Sequence, residues 1–222
     1  MKTLQFKLLS VFLILALIGC EPSSTDDQSN EKQPQEDEQV VSEEGNNEDE
    51  DVQEEEELEM TAIEFAKYVA QNLNKKAFEN WNDYTAEKVY FSPYSYVDTT
   101  KIVSLTKSEF NKFFESEEKI NWGYFDGTGE EIKLSIQEYF DRFVTDFDLT
   151  AENNQLLKDT IPSRGNALNN VKKVFPNATV VEIHKPASEE SMGMDWRSLM
   201  LVIEKVEGTW KLKALVHNEW TT

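Results

Sequence analysis

Apolar and polar positions divide this chain into three stretches with different periods. Residues Leu8 to Ile18 are almost unbroken apolar sequence. From Glu21 to Glu59 there is no apolar periodicity and no aromatic residue. From Met60 onward, stripes at helical spacing give way to alternating and continuous apolar runs. The first of these stripes holds Ile63, Ala66, Ala70, Leu73, Ala77, Trp81 and Tyr84, steps of three and four that predict one long amphipathic helix. Three phrases share one start signal: Thr61-Ala62-Ile63-Glu64, Thr106-Lys107-Ser108-Glu109 and Ser135-Ile136-Gln137-Glu138. Each places a hydroxyl residue three positions before a glutamate, the capping box in which both side chains satisfy free backbone N–H groups. Apolar neighbours flank each box, Met60 and Phe65 around the first. A helix carrying Ile136, Phe140, Phe143 and Phe147 follows the third box, and a shorter one is expected from Asn166 to Phe175, ended by Pro176.

Strands dominate the remainder. Asn121 to Ser135 reads as a hairpin, or as a strand with a loop, around Asp126-Gly127-Thr128-Gly129. Thr179 to Lys185 is a short strand, Asp195 to Val206 a long one, and Thr209 to Trp220 follows after the two-residue turn Glu207-Gly208. Helices come early and antiparallel strands late, which argues for an α+β domain with helices on one face of a curved, mainly antiparallel sheet.

The apolar run near the start is about 11 residues, against roughly 20 for a helix that crosses the hydrocarbon core. With Lys2 and Lys7 before it, the run fits a secretory signal segment. It ends Leu17-Ile18-Gly19-Cys20, and this resembles the lipobox of bacterial lipoproteins. The resemblance implies cleavage between Gly19 and Cys20 once the thiol carries a diacylglyceryl group, so that residues 1–19 are removed and Cys20 anchors the chain at the extracytoplasmic face of the membrane. Two or more acyl chains hold a protein on a bilayer stably, where one does so marginally. Cys20 is the only cysteine, so an internal disulfide, a CxxC pair and a cysteine-rich zinc site are excluded.

Charge changes the picture next. The whole chain is −21, residues 21–59 carry 18 acids against one base, and the first 20 residues are +2, which leaves −6 for residues 60–222. The acidity therefore belongs to residues 20–59, which bury too little apolar surface to offset chain entropy and are expected to form a disordered tether. A flexible chain of that length reaches roughly 35 Å, and self-repulsion extends it. Glu54 to Glu57 could collect Ca²⁺ or basic wall components, although a solvated charge run is the simpler reading. Neither tether nor domain is basic, so nucleic-acid binding is not expected.

The order of a long helix, a second helix, short strands and a final antiparallel meander over residues 60–222 resembles the nuclear-transport-factor-like superfamily. That resemblance implies a cone of sheet wrapped over helices, with a pocket at the wide end. The phrases Phe91-Ser92-Pro93-Tyr94, Trp122-Gly123-Tyr124-Phe125-Asp126-Gly127, Ser163-Arg164-Gly165-Asn166, Met194-Asp195-Trp196-Arg197-Ser198-Leu199 and His217-Asn218-Glu219-Trp220-Thr221 are similar to a set of exported bacterial proteins and lipoproteins. That likeness adds no chemistry.

The chain contains none of the G-x-S-x-G, P-loop, H-E-x-x-H or G-x-G-x-x-G motifs. No cofactor, metal or catalytic residue is assigned. Strict alternation along the last strand puts Lys211, Lys213, Leu215, His217 and Glu219 on one, more polar face, and Trp210, Leu212, Ala214, Val216, Asn218 and Trp220 on a core face. His217 then reads as a solvent-facing or satisfied histidine, with a general base as the alternative. Asp195 and Arg197, beside Trp196, could pair with each other or with partners on neighbouring strands, or bind a polar ligand. Arg164 precedes a helix start, where it could cap the helix or attract an anion. Asp126 reads as a turn former. Tyr90, Tyr94 and Tyr96 lie in a proline-containing, irregular stretch and are the best candidates for exposure. The ligand-binding candidates are therefore Tyr94, Arg164, Asp195, Trp196, Arg197 and His217, in a domain that takes a small molecule, a cell-wall component or an envelope protein. An enzyme using carboxylate or His217 acid–base chemistry is the alternative.

Overall fold

A computed structural model of the chain describes residues 59–164 and 167–221. The signal segment, the lipid site Cys20 and nearly all of the acidic tether lie outside the described residues.

Helix α1 spans Ala62–Asn74 and buries Phe65, Ala66, Val69, Ala70 and Leu73. All three capping boxes form: Thr61 with Glu64 at α1, Thr106 with Glu109 at α3, Lys107–Phe114, and Ser135 with Glu138 at α4, Ile136–Phe143. Backbone bonds hold each glutamate below its usual range, as the motif requires.

The first stripe does not continue as one helix to Tyr84. Lys76 takes a left-handed φ of 53°, Ala77 N–H donates to Asn72 O at 2.9 Å, and Lys76 N–H donates to Leu73 O at 3.0 Å. This six-to-one and five-to-two pairing is the Schellman stop. The chain then makes a 3-10 turn, Phe78–Asn80, and one helical turn, α2, Trp81–Tyr84. Trp81 and Tyr84 are buried all the same, delivered by a turn in place of a helix.

The domain is α+β around a mixed six-stranded sheet. Its strands are β1 (Thr85–Ser92), β2 (Val103–Thr106), β5 (Gln155–Lys158), β6 (Thr179–Lys185), β7 (Arg197–Val206) and β8 (Thr209–Glu219), in the spatial order β2-β1-β8-β7-β6-β5. Strands β3 (Ile120–Tyr124) and β4 (Glu131–Leu134) form a hairpin, the first of the two readings, and it stands as a sheet of its own. The β7–β8 turn also forms as read, with Glu207 and Gly208 at φ 52° and 81°, the double positive φ of a tight hairpin.

Three strands were not foreseen as such, among them β2, which pairs antiparallel to β1 at the sheet edge. Thr85–Ser92 pairs parallel to β8 and makes the sheet mixed, so Tyr90 is a half-buried strand residue and not part of an irregular exposed stretch. Gln155–Lys158 forms the far edge, inside what the sequence presents as a loop. The helix expected from Asn166 to Phe175 shrinks to the single turn α5, Val171–Val174, and Leu168 is exposed.

Both faces of the sheet are covered. Helices α1 to α4 close one face over Leu199, Leu201, Ile203 and Leu215, with Trp81 stacked on Phe110 and Trp122 on Tyr139, each pair 4.0 Å between centroids. On the other face Val97, Val171 and Ala178 cover Val180, Met200, Val202, Ala214 and Val216. Burying each such valine, leucine, isoleucine, methionine or phenylalanine side chain contributes about 1.5–3 kcal/mol. No helix among the described residues is long and apolar enough to cross a membrane.

Candidate functional site

One irregularity decides which residues meet. Opposite β7, Val202 pairs with Ala214 and Ile203 with Leu212, so Lys213 is an extra residue in β8. A bulge of this kind turns the following side chains to the other face. Trp210 and Leu212 therefore share the helix-covered face with Leu215, His217 and Glu219, while Ala214, Val216 and Asn218 point to the opposite core. The alternation that put His217 on a polar outer face breaks at Lys213, and His217 is buried with its side chain at 0 % exposure.

Around His217 the fold assembles a charged cluster from three places in the chain. Arg197 opens β7 and pairs across the ladder with Glu219. Arg142 comes from the last turn of α4, and Asp146 from the loop one turn later. His217 Nε2 lies 3.2 Å from Asp146 Oδ2, and its Nδ1 lies 3.2 Å from the carbonyl oxygen of Pro93. Arg197 Nε sits between the two carboxylates, 3.1 Å from Asp146 Oδ2 and 3.3 Å from Glu219 Oε2. Arg142 grips Glu219 with both terminal nitrogens, at 2.7 and 3.3 Å. Two guanidinium groups thus face two carboxylates. Burial works against the Arg142 charge, but the Glu219 carboxylate more than offsets this and keeps the guanidinium charged. Phe143 packs edge-on against His217 at 5.5 Å and carries the Arg142 guanidinium over its ring at 4.6 Å.

Asp146, His217 and Glu219 each place one donor atom within 4.8 Å of the others, a spacing a metal ion could use. Arg197 already occupies the position between the two carboxylates, so an added cation would have to displace a guanidinium. The donor set suits an internal ion-pair ladder better than a metal.

Beside this cluster lies a cleft of about 430 Å³ with Tyr94, Tyr96, Tyr124, Phe125 and Asp126 in its walls and Glu219 in its lining. A smaller hollow of about 180 Å³ shares Tyr94, Tyr96 and Tyr124. Tyr96 is 59 % and Tyr124 46 % exposed, large values for aromatic rings. Tyr94 is half-buried against Phe143, and its hydroxyl accepts the Asp126 backbone N–H at 3.1 Å. Burial pushes the Tyr94 phenol up, with nearby Glu219 adding to it.

The structure thus brings together three of the six candidates: Tyr94, Arg197 and His217. The other three lie elsewhere. Asp195 does not pair with Arg197. It staples its own loop, accepting from Ser188 N–H at 2.7 Å and from the Ser191 hydroxyl, with Lys185 3.5 Å away. Those hydrogen bonds hold its carboxyl well below the usual range. Trp196 is buried against His184, 6.1 Å between ring centres. Arg164 is well before the helical turn at Val171, so it neither caps that turn nor meets an anion there. It pairs at 2.5 Å with Glu182, whose side chain is fully buried. Asp126 keeps its turn role, accepting from Gly127 N–H at 3.0 Å.

Arg142, Asp146 and Tyr124 were missed as site residues. The first two lie four apart, interleaved with Phe143 and Phe147, so charges at helical spacing fall within an aromatic face. That pattern marks charges set among packed rings, but it does not reveal their partners, Glu219 for Arg142 and Arg197 for Asp146. Comparison with protein-family models, with curated proteins and with solved structures finds no match for this chain.

Proposed function

We propose that this chain is an extracytoplasmic lipoprotein whose folded domain binds a ligand in the tyrosine-walled cleft. Cys20 carries the lipid, residues 20–59 form a disordered acidic spacer, and the domain from residue 60 projects from the membrane. The phrase Leu17-Ile18-Gly19-Cys20 and the −17 charge of residues 21–59 support the first two parts. The order of helices and strands and a cleft at one end of β8 support a cone-like domain of the nuclear-transport-factor-like kind.

One observation carries the binding reading: exposed Tyr96 and Tyr124 frame a cavity large enough for a small ligand beside polar groups already neutralised by one another. Partners of this description are a small molecule, a cell-wall component or a protein of the envelope. The enzyme alternative draws on the Asp146–His217 pair. Against it, His217 is fully buried and both ring nitrogens face protein oxygens, which leaves neither for a substrate.

Two measurements test the proposal. With Cys20→Ala, the protein should leave the membrane fraction, and continued sedimentation through the amino terminus contradicts the anchor. Titration of envelope-derived small molecules, with Tyr124→Ala as control, should reveal a ligand whose binding depends on that ring. Binding indifferent to Tyr124 would contradict the cleft assignment.

A further inference from the structure

We propose that the ligand of the tyrosine cleft presents an ammonium group. This inference rests on the cleft being a binding site and adds the chemical class of what enters it.

The lining has a specific composition. Four aromatic rings, Tyr94, Tyr96, Tyr124 and Phe125, share the cleft with two carboxylates, Asp126 and Glu219. No lysine or arginine is among the residues that line it. The face of an aromatic ring is the negative end of its quadrupole and attracts cations. An anionic ligand would therefore meet rings and carboxylates, because the nearest cations, Arg142 and Lys101, are already paired with Glu219 and Asp98.

The charge beneath the cleft sharpens the reading. Glu219 is held by Arg142 and Arg197, and Asp146 by Arg197, so the cluster brings two negative and two positive groups. Asp126 is different. One of its oxygens accepts the Gly127 N–H, and among the described residues no lysine, arginine or histidine pairs with it. The wall thus carries one uncompensated negative charge next to exposed rings.

The protein itself supplies a precedent at the same ring. In the smaller adjoining hollow the Lys101 ammonium lies 5.3 Å from the Tyr124 ring centroid, with Asp98 at 3.5 Å as its counter-charge. One ring and one carboxylate already hold one ammonium there. The larger cleft repeats the combination with more rings, and its carboxylate is Asp126.

A polyhydroxylated ligand could also stack on tyrosines, and it is the main competitor. It needs a mixture of donors and acceptors in the walls. The walls supply both: Asp126 and Glu219 accept, the Tyr94 hydroxyl accepts from the Asp126 backbone and keeps its own O–H to donate, and Asn218 and Thr221 add polar groups. A neutral sugar would leave the Asp126 charge uncompensated, and this favours the cation.

The test uses the full chain and four probes: choline, its neutral isostere 3,3-dimethylbutan-1-ol and the neutral disaccharide diacetylchitobiose with the chain in detergent, and phosphatidylcholine vesicles with the chain in detergent-free nanodiscs of phosphatidylglycerol. Binding is read by calorimetry. Choline should bind at least tenfold more tightly than the isostere, and Tyr124→Ala and Asp126→Asn should each weaken it at least fivefold with an unchanged melting temperature. Free choline and vesicles separate a soluble amine from a lipid head group, and Tyr124-dependent binding of either supports the proposal. Equal binding of choline and isostere would overturn the ammonium claim while the cleft remains a binding site. Tyr124-dependent binding of the disaccharide alone would do the same. No binding of any probe at the cleft would overturn this inference and remove the support for the reading beneath it.

Discussion

The sheet carries a buried polar cluster on each face, and the two differ in one respect. On the helix-covered face, His217, Glu219 and Arg197 join Arg142 and Asp146 at the margin of an open cleft. On the opposite face, Arg164 pairs with a fully buried Glu182, and His184 Nδ1 meets the Ser198 hydroxyl at 2.9 Å. Residue types are nearly the same in both: histidine, arginine and acid. Only the first lines a cavity with exposed rings, so chemistry by residue type does not separate a site from a structural knot. Access does. The second cluster holds the fold, and its arginine is spent on an internal partner.

The sharpest way to break this contrast is to slip β8 by one residue beyond the bulge. Deleting Leu215 would move Val216 to Glu219 back by one position, placing His217 and Glu219 where Val216 and Asn218 now pack. Loss of cooperative folding is expected, a destabilisation above about 4 kcal/mol, checked by circular dichroism. A native melt would show that the face assignment is wrong.

Next in size comes the closed cluster. Glu182→Ala leaves the Arg164 charge with little water and no acid, and about 3–5 kcal/mol should be lost in urea unfolding. Glu219→Ala should cost less, about 1–3 kcal/mol, because the Arg142 side chain is 40 % exposed and can rehydrate. If Glu219 proves the costlier of the two, the distinction between a closed and an accessible cluster fails.

The histidine of the closed cluster gives a pH signature. Burial pushes His184 down to about 4 in the fold, with the Arg164 charge adding to the effect, against an unfolded value near 6.5. The unfolded chain therefore binds more protons between these values, and stability falls as pH drops from about 6.5 toward 4. The loss should be about 1–2 kcal/mol by pH 5, and His184→Leu should flatten that part of the profile. An unchanged slope in the variant would assign the effect to other groups. Smallest of all is the stability effect of Tyr124→Ala, within about 0.5 kcal/mol, because the ring is half exposed and lies in the short hairpin β3–β4.

These contrasts also show what was legible in the sequence. Three capping boxes, the Glu207-Gly208 turn and the strand Thr179–Lys185 are local signals, and the fold follows them residue by residue. The α1 stop at Lys76 was hidden, because a lysine in a left-handed conformation carries no mark of its own and the apolar spacing runs on past it. Strand β1 was hidden by Pro93 and by a parallel partner more than a hundred residues away. The bulge at Lys213 reverses the alternation from which His217 was placed. His217 and Glu219 were visible as a pair on one strand, but Arg142 and Asp146 reach them only through tertiary packing. Cys20 and the acidic segment remain readings of the sequence, outside the described residues.

The most direct test of the central claim is an NMR titration of the full chain with labelled tyrosine rings, using choline as the probe. The account predicts shifts confined to Tyr94, Tyr96 and Tyr124, which share the cleft, and none at Tyr68 and Tyr84, which line a separate groove near Met60. Shifts centred on Tyr68 and Tyr84, or no shift at any tyrosine, would contradict it.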